Sequence, residues 1–121
     1  MTTNEKACAT DTTMIIERYI ALATKHGEAT ENGNSDDANA AFKELNEVFA
    51  CIVQGNERER LVPLLTHPNP SVRAEAAFHT YALNAQRSAS VLEEVSHGPG
   101  LVGFSAGMTL KQLKSGGVTP P

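Results

Sequence analysis

The sequence predicts an all-α fold of three antiparallel helical pairs, and three observations carry that prediction. Aromatic residues make up only 5% of the 121, Trp is absent and Ala is abundant. That balance suits close-packed helices better than a sheet, which draws on β-branched and aromatic residues. Apolar residues recur at helical spacing between recognisable start and stop signals. In the second half of the chain an apolar pattern returns after thirty residues, and a fixed period of this size marks a helical repeat.

The first helix is expected over 12–26. Asp11-Thr12-Thr13 forms its N-cap region, Met14, Ile15, Ile16, Tyr19, Ile20, Leu22 and Ala23 follow, and Gly27 stops it after Lys25 and His26, whose charge suits a helix C-terminus. Residues 28–35, EATENGNS, read as a polar loop. The second helix, over 36–54, is capped by Ser35 and carries Asp36 and Asp37 in its first turn. Ala38, Ala41, Phe42, Leu45, Val48, Phe49 and Ile52 form its apolar stripe, and Gly55 ends it. These two make an N-terminal hairpin over 12–54. A short helix over 57–66 carries Leu61, Val62, Leu64 and Leu65, with Pro63 bending or shortening it.

Two prolines set one residue apart, Pro68 and Pro70, make the next corner. The residue before a proline avoids the α region, so Pro68 ends one helix. Pro70 opens the next, where its missing N–H and fixed φ cost nothing. That helix is expected over 70–84. His67-Pro68-Asn69-Pro70 lines up with His97-Gly98-Pro99-Gly100, and a last pair over 88–97 and 100–114 follows. Val62 falls on Leu92, Leu65 on Val95, Val72 on Val102, Ala76 on Ala106, Phe78 on Met108 and Leu83 on Leu113.

The stretch LVPLLTHPNPSVRAEAA resembles the HEAT repeat in its short, thirty-residue form. The chain as a whole is similar to a small bacterial HEAT-like family known as a domain of unknown function. The resemblance implies an α–α superhelix of three antiparallel helical hairpins, with HEAT-like repeats at 57–84 and 88–114, and no established activity. HEAT repeats often carry an Asp in the turn that bonds a following Arg. Here Arg73 is present, but His67 stands at the acidic position and Gly103 replaces the second Arg, so no polar ladder between repeats is expected. Some HEAT-like enzymes hold a di-iron centre with His-Glu pairs, and this chain contains no His-Glu dipeptide.

Length and charge bound the rest. A chain of this size is one domain by its length, with poorly ordered tails at 1–11 and 115–121. Residues 1–60 carry 11 acids against 6 bases and residues 61–121 carry 3 against 4. No basic stripe appears, so a nucleic-acid partner is not expected. No apolar run approaches the ~20 residues of a membrane span, and MTTNEKACATDTT lacks the apolar core of a secretory signal. A cytoplasmic location is the default expectation. Cys8 and Cys51 are too few for a disulfide framework, and Cys51 reads as a small core residue.

Two motifs mimic chemistry. GPGLVG at 98–103 is a literal GxGxxG, but a helical pattern precedes it and no acid follows, whereas a dinucleotide loop needs a strand before and an acid after. GFSAG at 103–107 is a literal GxSxG, yet no Asp, Glu or His follows Ser105 to complete a triad. Gly103 and Gly107 read instead as small residues permitting close helix approach. Neither a cofactor nor a metal is expected. His67 and His97 are turn residues capping carbonyls or facing solvent, and His79 lies beside the apolar stripe as a packing residue or, alternatively, a functional one.

The function expected is a non-catalytic protein-interaction module. The acidic stretch from Glu28 to Glu59 is either a solvated face or a docking surface for a basic partner, as in an inhibitor or immunity-type protein. The alternative is a HEAT-like enzyme or nucleic-acid binder, for which no catalytic cluster or basic groove is seen. Partner-binding candidates are Asp36, Asp37, Glu44, Glu47, His79, Phe104 and Met108. The last helix is apolar on two sides. Its second face, Leu101, Phe104 and Met108, is expected to pack onto the preceding short helix. A homodimer through this end is the other reading.

Overall fold

The computed structural model describes Cys8 and residues 11–121, so most of the expected N-terminal tail lies outside the described residues. Among these, every regular element is helical: α1 (Thr12–Glu31), α2 (Ser35–Gln54), a 3-10 helix (Arg58–Thr66), α3 (Pro70–Thr80), α4 (Ala85–Ser96) and α5 (Gly100–Ser115). The chain forms two compact units, one ending at Arg60 and one beginning at Leu61.

In the first unit α1 packs antiparallel on α2. Asp11 caps α1, its Oδ1 accepting from the Thr13 N–H at 2.9 Å. The helix does not stop at Gly27 but runs on to Glu31. Gly27 and Ala29 are buried, and the Thr30 hydroxyl donates back to the His26 carbonyl at 2.8 Å. Packing therefore outweighs the roughly 1 kcal/mol that a mid-helix glycine costs. The stop comes at Gly33, whose φ of +72° is the left-handed conformation a glycine adopts freely. Asn34 N–H bonds the Ala29 carbonyl and Gly33 N–H the Thr30 carbonyl, a Schellman motif. Asn34 then caps α2 in place of Ser35, its Oδ1 accepting from Asp37 N–H at 3.1 Å. The same motif closes α2. There the left-handed residue is Asn56, φ 56°, rather than Gly55, with Glu57 N–H on the Ile52 carbonyl. Tyr19, Ala23, Ala41, Leu45 and Ile52 are almost wholly buried between the helices.

In the second unit Pro63 lies inside the 57–66 segment, which folds as a 3-10 helix rather than an α-helix. Leu61, Leu64 and Leu65 are buried from it. The proline corner forms as expected: Pro70 opens α3, and Asn69 Oδ1 accepts from Ser71 N–H at 2.8 Å. His67 caps an N–H rather than a carbonyl, its Nδ1 accepting from Asn69 N–H at 3.0 Å. The carbonyls of His67 and Pro68 are taken by Arg73 Nη1, at 2.9 and 3.1 Å. At the equivalent corner Gly103 stands where Arg73 would be. A Cβ there would overlap the Gly98 carbonyl oxygen and lie 3.2 Å from that of Val95. The helix backbone itself comes down onto the corner.

Helix α3 ends at Thr80, four residues earlier than expected. The Thr80 hydroxyl donates to the Ala76 carbonyl at 2.7 Å and lies 3.2 Å from the buried Ser88 hydroxyl, tying the end of α3 to the start of α4. Asn84 caps α4, so Leu83 sits in the turn and is 48% exposed. α4 packs on both α3 and α5. Leu92 and Val95 are buried, but the α5 face buried with them is Gly103, Ala106, Leu110 and Leu113. The expected burial of Leu101, Phe104 and Met108 does not occur; they are 50%, 65% and 41% exposed. Gly116 is left-handed and the N–H groups of Gly117 and Val118 both bond the Gln112 carbonyl.

Ala76 is fully buried and Leu83 is not. Ala76→Asp places an uncompensated charge in the core and abolishes cooperative folding, whereas Leu83→Asp changes stability by no more than about 0.5 kcal/mol. Thermal unfolding followed by circular dichroism checks the pair.

Candidate functional site

Antiparallel packing sets the start of α1 beside the end of α2. Met14, Ile15 and Arg18 from α1 face Glu44, Glu47, Val48 and Cys51 from α2 across a cleft of about 380 Å³. The spacing is a consequence of helical period: Glu44, Val48 and Cys51 share one stripe of α2, with Glu47 at its edge. Met14, Ile15 and Val48 give the lining an apolar part, and Arg18, Glu44 and Glu47 a charged one. Arg18 Nη2 pairs with Glu44 Oε2 at 3.1 Å, an exposed pair worth under about 1 kcal/mol. Glu47 has no ion-pair partner among the described residues. Asp36 and Asp37 are exposed at the N-terminus of the same helix, two turns from Glu44, where the helix dipole favours them. Asp37 Oδ2 also accepts from Asn34 Nδ2 at 2.9 Å.

Cys51 is buried, but it is not a free core thiol. It is bonded to Cys8 across a sequence separation of 43. The pairing follows from the hairpin: Cys8 precedes α1 by a few residues, and α1 begins where α2 ends. Closing a loop of that length removes up to about 4 kcal/mol of chain entropy from the unfolded state. Reading two isolated cysteines gives no hint of it, because the contact is made by tertiary packing and not by spacing.

The other candidates divide cleanly. Phe104 and Met108 are at the surface, with Leu101, on the side of α5 opposite its buried face. His79 is 2% exposed and cannot meet a partner at the surface. Ser105 lies in the middle of α5 and not on a strand-to-helix elbow, and 98–100 is the α4–α5 corner. Among the described residues no three His, Cys, Asp or Glu side chains come together as metal ligands, and no helix is long and apolar enough to cross a membrane. One titratable group escapes sequence reasoning altogether. Burial pushes the Glu75 carboxyl from 4.5 up to about 7. Its position one turn before buried His79 is the only signal that could have found it.

With this geometry in place, comparison adds little chemistry. Residues 13–114 match a family described as a domain of unknown function, DUF2019. A crystal structure of the protein RPA1889 from Rhodopseudomonas palustris CGA009 is similar over 94% of this chain and 97% of that one, with a TM-score of 0.80 at 23% identity. That likeness is one of fold. No curated protein matches the chain.

Glu75 makes stability pH-dependent in a defined direction. A carboxyl whose folded pKa is raised contributes its full stability below about pH 4.5, and that contribution is lost as pH rises through about 7. Glu75→Gln removes the dependence. The variant is expected to match the wild type near pH 4 and to exceed it by on the order of 2 kcal/mol near pH 8, measured as urea unfolding at the two pH values.

Proposed function

The chain belongs to the DUF2019 family, whose description names no activity, and from this premise we propose that it is a non-catalytic protein-interaction module. The observation that carries the reading is the α2 face: Asp36, Asp37, Glu44 and Glu47 are all exposed, and the last two line a cleft together with the apolar Met14, Ile15 and Val48. Apolar side chains supply affinity and the carboxylates beside them supply orientation and association rate. Such a surface suits a basic protein partner, in the manner of an inhibitor or immunity-type protein. The proposal treats residues 57–84 and 88–114 as HEAT-like repeats, supported by their matching corners, and the α–α superhelix implied by that resemblance belongs to it. The expected cytoplasmic location is not part of it. The Cys8–Cys51 disulfide sits against that location, since cytosolic thiols are held reduced.

The test is charge reversal. Asp36→Lys/Asp37→Lys/Glu44→Lys removes the helix-dipole term of two aspartates and one exposed ion pair, together about 1–2 kcal/mol. The variant is expected to remain folded, with its melting temperature lowered by a few degrees, and to retain a basic partner captured from native lysate at least tenfold less well. Equal retention in low salt returns the acidic run to the status of a solvated face.

A further inference from the structure

The two exposed features of this chain have complementary chemistry. On α5, Leu101, Phe104 and Met108 fall within about 60° of one another on the helix, roughly opposite the buried Gly103, Ala106, Leu110 and Leu113. Lys111 continues the exposed stripe by one turn and Lys114 flanks it, and no acidic residue occurs anywhere from Val95 to the C-terminus. On the other unit, the α1–α2 cleft is lined by the apolar side chains of Met14, Ile15 and Val48, Met14 itself being 59% exposed, together with the carboxylates of Glu44 and Glu47. Arg18 offsets only Glu44. The lengths agree: Leu101 to Met108 and Glu44 to Cys51 are each eight residues of helix, about 10 Å from first to last.

We propose that the α1–α2 cleft of one molecule receives the α5 stripe of a second copy of this chain. The contact is a helix laid in a groove: Leu101, Phe104 and Met108 enter against Met14, Ile15 and Val48, and Lys111 meets Glu47. It rests on the reading of the α2 face as a docking surface, and adds a partner and a second surface to it. Because the two surfaces differ, the interface is heterologous. Repetition gives open chains or closed rings rather than being limited to one two-fold contact. Three apolar side chains and one or two charge pairs bury less than a stable dimer requires, so the association belongs with weak, transient interfaces. Its charged part also weakens with salt.

Complementary variants test it, using the full oxidised chain. The cleft variant is Glu44→Lys/Glu47→Lys and the stripe variant is Phe104→Glu/Met108→Glu. All four side chains are exposed, so both proteins fold, as circular dichroism verifies; Met14→Gln and Phe104→Ser are milder substitutes. In sedimentation velocity up to about 1 mM, the wild type is expected to gain mass with concentration at low salt. Each variant alone is expected to stay monomeric, its association weakened at least tenfold. An equimolar mixture re-forms a contact through the wild-type cleft of the stripe variant and the wild-type stripe of the cleft variant, and stops at one to one. A wild type that is monomeric at every concentration overturns self-docking, while the lysate experiment still judges the acidic face separately. A cleft variant that self-associates like the wild type assigns the contact to stripe on stripe, and also overturns it.

Discussion

The backbone approach at Gly103 decides how α5 is presented. With a hydrogen in place of a side chain, the helix settles onto the Gly98 and Val95 carbonyls at the α4–α5 corner. Once that contact is made, helical period does the rest. Ala106, Leu110 and Leu113 follow Gly103 to the inside and bury Leu92 and Val95, while Leu101, Phe104 and Met108 are carried to the outside. An exposed Phe, Leu and Met on one stripe is thus a consequence of a small residue elsewhere on the helix. Each of these side chains forgoes a large part of the roughly 1.5–3 kcal/mol that full burial brings.

The thirty-residue repeat shows two solutions to one local problem. A tight helix–helix corner leaves carbonyl groups pointing at the following helix, and they need partners. At the first corner Arg73 reaches back and bonds the carbonyls of His67 and Pro68. At the second the side chain is absent and the helix closes in. The substitution of Gly for Arg at equivalent positions removes a polar bridge and gains close packing. It also leaves α5 without the charged side chain that would have kept its neighbour at a distance.

The sequence makes the helices legible because their period, caps and proline corner are local signals. The proline corner, the α2 span and the α5 span need nothing but neighbours along the chain. What misleads is tertiary. Gly27 reads as a stop, yet it is buried and the helix runs on to Glu31. Leu83 reads as core, yet Asn84 prefers to cap α4 and pulls it into a turn. The second apolar face of α5 reads as buried, because periodicity cannot tell which of two apolar stripes a glycine will turn inward. At the candidate site, Glu44 and Glu47 are visible as acids but not as part of the lining of a cleft. Met14, Arg18 and the Cys8–Cys51 bond come to them only through the antiparallel fold.

Two alanine substitutions separate the Gly103 contact from ordinary helix propensity. Alanine is favoured over glycine inside a helix by about 1 kcal/mol, so on propensity alone Gly103→Ala and Gly107→Ala both stabilise. At Gly107 the new Cβ would lie 3.4 Å from the Ser96 Cβ, an ordinary contact, and the gain should appear. At Gly103 it would strike carbonyl oxygens that belong to the backbone and cannot swing aside. Urea unfolding of the two variants is therefore the direct measurement. Gly107→Ala is expected to be equal to the wild type or up to about 1 kcal/mol more stable, and Gly103→Ala to be less stable by about 2 kcal/mol or more. A Gly103→Ala protein as stable as the wild type would contradict the account of how α5 is turned.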